Sequence, residues 1–231
     1  MVAQEKAEPA GAFEPGMESA EELEKKNAGT NLERKHYFQI SHLHKERNLN
    51  SIRILNIMVS NFGEQLQGSK SDLEKVKKDY QIALRYYYRK AFIPAGKTML
   101  ESDKEISDLF QKFSKFYEKK ADAILTECAD AIATAEQNDI VVSGRESVSR
   151  AKDILEAQFK LRIAYSQMAR AEEMNREDRF YDAIIHYRLA KDYGIKILSD
   201  LKLTPEERKK IADTYAIDLA DNKGQTLKQN P

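Results

Sequence analysis

With 231 residues, and with Lys+Arg and Asp+Glu both at 38, the chain is formally neutral and has a pI near 6.9. Nucleic-acid binders usually carry a basic excess on part of their surface, whereas acid and base alternate along most of this chain, so no nucleic-acid partner is expected. A mean hydropathy of −0.67, with no apolar run near the ~18 residues a bilayer requires, argues against membrane insertion, and nine Gly, five Pro and no Trp leave little for a turn-rich β fold.

Residues 1–30 contain Pro9, Gly11, Pro15, Gly16 and Gly29 with little periodic hydrophobicity, and are expected to be a disordered arm or a partner-docking tail. The opening MVAQEKAEPAGAFEPG has no basic region followed by an apolar core, so no export signal is expected within it. A cytoplasmic protein and the mature part of an exported one both fit. A first helix is expected from Asn31 to about Arg47, breaking near Asn48-Leu49-Asn50. Ile52, Leu55, Val59, Phe62 and Leu66 then form an amphipathic stripe that Gly68 ends.

Ser71 with Glu74 has the spacing of a capping box, in which each side chain accepts a bond from the other residue's orphan N–H. The helix it opens carries Leu73, Val76, Tyr80, Ala83 and Tyr87. Pro94, with no N–H to donate, is expected to break or kink the chain. Ser102 with Glu105 is a second box, opening a long helix striped by Ile106, Phe110, Phe113, Tyr117, Ala121, Ile124, Cys128, Ala131 and Ala135. After a link from Asn138 to Val142, Ser143 with Glu146 is a third box. Its helix alternates large and small residues (Ile154, Ala157, Leu161, Ala164, Met168, Ala171), a pattern that lets a neighbouring helix approach closely. Phe180, Ala183, Tyr187, Ala190 and Ile197 mark the next helix. Thr204-Pro205-Glu206-Glu207 starts the last one, with Thr as N-cap, Pro at N1 and Glu at N3; its stripe is Ile211, Tyr215 and Leu219, and residues 221–231 read as a flexible tail.

The fold class is therefore all-α: an elongated bundle of long antiparallel amphipathic helices over residues 31–220, bent where two arms meet near 90–102 and 138–143. Tyr80, Ala83 and Tyr87 recur as Phe180, Ala183 and Tyr187, 100 residues later, which resembles the second helix of a tetratricopeptide repeat. No matching units fill the interval, so convergent helical-hairpin packing stands beside that reading.

Arg85-Tyr86-Tyr87-Tyr88-Arg89 is the densest aromatic and basic cluster. Three consecutive tyrosines span ~200° of a helix, so they cannot all face one core. With Tyr87 in the stripe, Arg85, Tyr86, Tyr88 and Arg89 are the candidate protein-interaction residues; a second intramolecular contact with the N-terminal helices is the other reading. His42 and His44 point ~160° apart on a helix and are badly placed to share a metal ion; His36 and His186 read as surface or boundary residues. Glu172, Glu173 and Asp178 lack the paired Glu-x-x-His motifs of a di-iron bundle, and Lys112, Lys115, Lys119 and Lys120 alternate with Glu105, Asp108 and Glu118 as a solvated face would. Cys128 sits in a stripe as a small buried hydrophobe, and as the only cysteine it excludes an intrachain disulfide and a multi-cysteine zinc site. No catalytic residue, cofactor or metal is expected.

Two runs carry a family resemblance: YYYRKAFIPAGKTMLESDKEISDLFQKFSKFYEKKADAIL, from Tyr86 to Leu125, and SRAKDILEAQFKLRIAYSQMARAEEMNREDRFYDAIIHYRLAKDYGIKIL, from Ser149 to Leu198. In helix layout and composition, over roughly Leu73 to Leu201, the chain resembles the flagellar-coiling proteins of spirochaetes. The resemblance implies a non-enzymatic structural protein, exported to the periplasm, that helps form the sheath around the flagellar filament and impose its curvature. Its partners would be the flagellin core and other sheath proteins, with self-association among the contacts. A soluble helical-repeat adaptor for a peptide or protein remains the alternative.

Overall fold

The computed structural model describes residues 15–141 and 145–227, with side chains outside 139–149. Among them are eight helices and no strand: α1 (Ala20–Lys26), α2 (Asn31–Phe62), α3 (Ser69–Tyr88), α4 (Phe92–Val141), α5 (Arg145–Arg176), α6 (Phe180–Asp200), α7 (Pro205–Thr214) and α8 (Ala216–Asn222). The fold is all-α, and no described helix is long and apolar enough to cross a membrane.

Several helix ends differ from those the sequence suggests. α2 runs straight through Asn48, because the buried Asn48 side chain donates to the Met99 carbonyl at 3.1 Å and so does not compete for its own backbone. α3 starts at Ser69, and the Ser71 hydroxyl donates back to the Gly68 carbonyl at 2.8 Å instead of capping, while Glu74 accepts from Lys77. α4 is continuous from Phe92. Pro94 falls in its first turn, where an N–H has no intrahelical partner to lose. Ser102 is therefore a buried mid-helix residue and caps nothing. α4 also continues past Asn138 to Val141, and the side chains of the proposed Ser143–Glu146 box lie outside the described residues. Thr204 caps α7 as its sequence indicates: its hydroxyl accepts from the Glu207 N–H, Pro205 stands at N1, and the Glu207 carboxylate accepts from the Thr204 N–H.

Three of the helix C-termini, those of α3, α5 and α8, close by one device. Ala91 N–H reaches the Tyr86 carbonyl and Lys90 N–H the Tyr87 carbonyl, with Lys90 at φ 60°. Arg179 and Asp178 (φ 56°) repeat this on Met174 and Asn175, and Gln225 and Gly224 on Ala220 and Asp221. This is the Schellman arrangement, which satisfies the last carbonyls and turns the chain sharply. It accounts for the three-residue link that folds α6 back on α5.

The chain divides into two compact units: the described parts of Met1–Ser51 with Glu74–Glu105, and of Ile52–Leu73 with Ile106–Pro231. In the first, Val76, Tyr80, Ala83, Ala95 and Met99 are buried. In the second, the stripes read from sequence are the core: Phe113, Tyr117, Ala121 and Cys128 of α4, Ala157 and Ala164 of α5, and Ala183, Tyr187 and Ala190 of α6 are all closed to solvent or nearly so. Gly194 lets α6 lie flush against α4, since a Cβ there would stand 2.6 Å from Ile124 Cγ2.

Candidate functional site

In the first unit, the N-terminal residues are not an unstructured arm where they are described. Ser19 and Glu22 form a capping box at the start of α1. The preceding residues are held by three of the four candidate interaction residues. Arg85 donates to the Pro15 carbonyl, and Arg89 to the Gly16 and Glu18 carbonyls at 3.0 and 2.7 Å. The Tyr86 hydroxyl donates to Glu18 Oε1 at 2.6 Å, beside Lys26 Nζ at 2.5 Å, and Gly16 N–H donates to Glu18 Oε2 at 2.8 Å. Gly16 has φ +86° and sits against the Arg85 side chain, two reasons for having no Cβ. Burial alone would raise the Glu18 carboxyl, but the bonds from Lys26, Tyr86 and the backbone outweigh it and hold the group at about 2. Tyr86, not Tyr87, is thus the buried member of the tyrosine run, and Arg85, Tyr86 and Arg89 serve an intramolecular contact.

The fourth candidate, Tyr88, is 69% exposed and belongs to a surface platform. Phe38 of α2, itself 40% exposed, meets Phe92 edge-on at 5.0 Å and stacks with Tyr87 at 6.3 Å; Tyr87 meets Tyr88 at 5.5 Å. His42 lies over Phe38, its Nδ1 3.4 Å from the Tyr87 hydroxyl, and Lys45 Nζ stands 5.2 Å above the Tyr87 ring. Five rings from three helices thus make a contiguous patch. Lys45 stands at its edge, and along residues 31–47 of α2, which supply two of the rings, Arg34, Lys35, Lys45 and Arg47 outnumber Glu33 and Glu46. Tyr88 was legible as an outward ring; Phe38 and Phe92 were not, because their meeting depends on the turn between α3 and α4.

The second unit holds a charged cluster that no local motif announces. Asp221 of α8 is fully buried: Oδ2 accepts from the Tyr117 hydroxyl (2.5 Å) and Arg188 Nε (2.9 Å), and Oδ1 from Arg188 (3.0 Å) and Asn61 (3.2 Å). One turn earlier, Asp218 accepts from Lys191 at 2.6 Å and Lys120 at 3.0 Å. Lys191 Nζ also lies 4.5 Å from the Tyr117 ring centre, and Lys120 Nζ 4.3 Å from that of Phe62. Burial lowers the Lys191 ammonium below the usual lysine range, with Asp218 opposing. Burial and the Asp221 carboxylate push the Tyr117 hydroxyl well above its usual range, which keeps it a proton donor. Every carboxylate oxygen has a donor, so the cluster works as a clasp holding α8 to the bundle. Asn61 extends it by accepting from Leu227 N–H and donating to the Gln225 carbonyl. The segment from Asp221 read as a flexible tail is in this part a fixed contact.

The other candidates are dispersed. His186 bonds Gln167 at 2.8 Å, and Lys112 pairs with Asp72 at 2.6 Å. Of the two stretches with the shared spacing, the first position of one and the last of the other bond differently: the Tyr80 hydroxyl donates to the Lys45 carbonyl, and the Tyr187 hydroxyl accepts from the Asn175 amide. Among the described residues no group of three or more His, Cys, Asp or Glu is placed to hold a metal ion. No protein-family model matches this chain, and neither the curated proteins nor the solved structures yield a match.

Proposed function

We propose that the chain is a non-enzymatic structural protein that assembles with other proteins, the periplasmic flagellar filament and its sheath being the assembly its sequence resembles. The observation that carries this reading is the platform of Phe38, His42, Tyr87, Tyr88 and Phe92. Aromatic residues concentrate at the energetic centres of protein interfaces, and here three of the five rings, those of Phe38, His42 and Tyr88, are exposed to solvent. The basic margin favours a partner with an acidic rim and an apolar anchor. The clasp supports the same reading, since its ionisable groups saturate one another and leave none poised for proton transfer to a substrate. Co-sedimentation of the purified chain with isolated flagellar filaments tests the proposal. Saturable binding supports it, and a chain that stays in the supernatant at every filament concentration rejects the filament as partner.

A further inference from the structure

We infer that the hairpin of α4 and α5 is a self-association surface, which pairs with the same hairpin of a second copy about a two-fold axis parallel to the helices. Four observations converge on it. A groove of about 430 Å³ runs between the two helices, floored on the α4 side by the small residues Ala129 and Ala133 and edged by Glu136 and Arg162. Beside it, α5 exposes Leu155 (65%) and Phe159 (60%), with Tyr165 (45%) in the groove wall, more apolar surface than any other helix of this unit offers along one row. The charges are divided between the two helices: from 121 to 138, α4 carries Asp122, Glu127, Asp130 and Glu136 and no Lys or Arg, whereas from 150 to 170 α5 carries Arg150, Lys152, Lys160, Arg162 and Arg170 against Asp153 and Glu156, the last of which pairs with Lys160. Among the described residues, Asp122, Asp130, Arg162 and Arg170 are all exposed and make no ion pair within the chain, while Glu127 turns away to accept from the Tyr215 hydroxyl.

The charge division selects the occupant and the axis. An acidic wall beside a basic wall is complementary to itself when a two-fold parallel to the hairpin lays α4 over α5 of the second copy. A two-fold across the hairpin would instead set acid against acid. The register follows from the hairpin: Gln158 donates to Glu136 across the groove, so these residues lie level, and the antiparallel course sets 162 level with 132 and 170 with 124. At ~1.5 Å per residue, Arg162 of the second copy stands within about 3 Å, along the axis, of Asp130 and about 6 Å of Glu136, and Arg170 within about 3 Å of Asp122. Phe159, level with 135, lies over the shallow surface at Ala133. A face of about 27 Å by two helix diameters of ~10 Å covers roughly 540 Å² per copy. The total of roughly 1,100 Å² lies at the low end for a specific interface, so the dimer is weak and reversible.

The pairing needs no filament, so it stands or falls separately from the filament reading. Sedimentation equilibrium of the full chain, from micromolar to near-millimolar, is the test. A dimer is expected at low salt and its loss in 0.5 M salt, where exposed charges are screened. Arg162→Glu with Arg170→Glu, and separately Asp122→Lys with Asp130→Lys, should each weaken the dimer by at least about 30-fold. Mixing the two variants should restore pairing as a heterodimer, which two misfolded chains could not do; circular dichroism and melting of each variant monitor the fold. A wild-type chain that stays monomeric throughout, a dimer indifferent to both reversals, or a mixture that fails to pair would each overturn the inference.

Discussion

Lys191 is fully buried with its ammonium between Asp218 and two aromatic rings, so removing it does not simply delete a contact. Lys191→Met leaves a buried carboxylate with Lys120 as its remaining partner, and a cost of about 3 kcal/mol is expected from urea unfolding. Lys191→Met with Asp218→Leu removes both charges and should recover most of that loss, because Lys120 is partly exposed and can turn to water. Equal losses in the single and double variants would mean that the pair is not what stabilises α8. Glu18 gives a second expectation, in pH. Its carboxyl lies at about 2 in the folded chain against an ordinary 4.5, so its contribution is complete above about 4.5 and disappears as pH falls through about 2. Hydrogen exchange of residues 16–27 should therefore accelerate in acid, on top of the intrinsic pH dependence of exchange. Glu18→Gln should show the faster exchange at neutral pH and little further change. Identical protection in the two proteins at pH 7 would remove Glu18 from the docking contact.

At the scale of helices, periodicity was the surer guide: of the capping signals, Thr204–Glu207 opens its helix, whereas two of the serine boxes do not. The stripe Phe110, Phe113, Tyr117, Ala121, Ile124 and Cys128 is buried as its three- and four-residue spacing requires. That spacing reports which face meets the core, and burial supplies most of a helix's stability in a protein. Ser71–Glu74 and Ser102–Glu105 have the composition of N-termini yet lie inside helices that start earlier, because tertiary packing outweighs a contribution of about 1 kcal/mol from one cap. Tyr86 and Tyr87 were misassigned by a single step, one that the N-terminal segment decides by offering Glu18 to the Tyr86 hydroxyl. The clasp was beyond reach of any window: Tyr117, Arg188 and Asp221 are 104 and 33 positions apart and meet only once the bundle closes. Gly194 belongs to this scale too. Gly194→Ala drives a methyl group into Ile124 and Leu125, where α6 and α4 touch, and should lower stability by about 1–3 kcal/mol in thermal unfolding despite alanine's better helix propensity. An unchanged or raised melting temperature would show that the two helices can separate at little cost.

For the molecule as a whole, a net charge of zero conceals a banded distribution. Acid is gathered on α4 from 121 to 138, and base on the first half of α2 around the aromatic platform. Bands of opposite sign give direction to association, where a uniform mixture would give only solubility. Phe38 and Tyr88 contribute to the platform while remaining partly open to solvent, so Phe38→Ser with Tyr88→Ser should leave circular dichroism unchanged and lower the melting temperature by only a few degrees. The same variant should weaken filament co-sedimentation by at least about 10-fold. Undiminished binding would move the contact to another face of the chain.

Cys128 has one consequence of its own. As the sole thiol, closed to solvent and with burial pushing its pKa up to about 12, it is nearly inert while the bundle stays shut. Its sulfur donates to the Gly194 carbonyl at 3.2 Å, across the seam where α4 meets α6. Any alkylating reagent therefore reads, without an engineered label, how often that seam parts: the protein carries its own stopwatch for breathing.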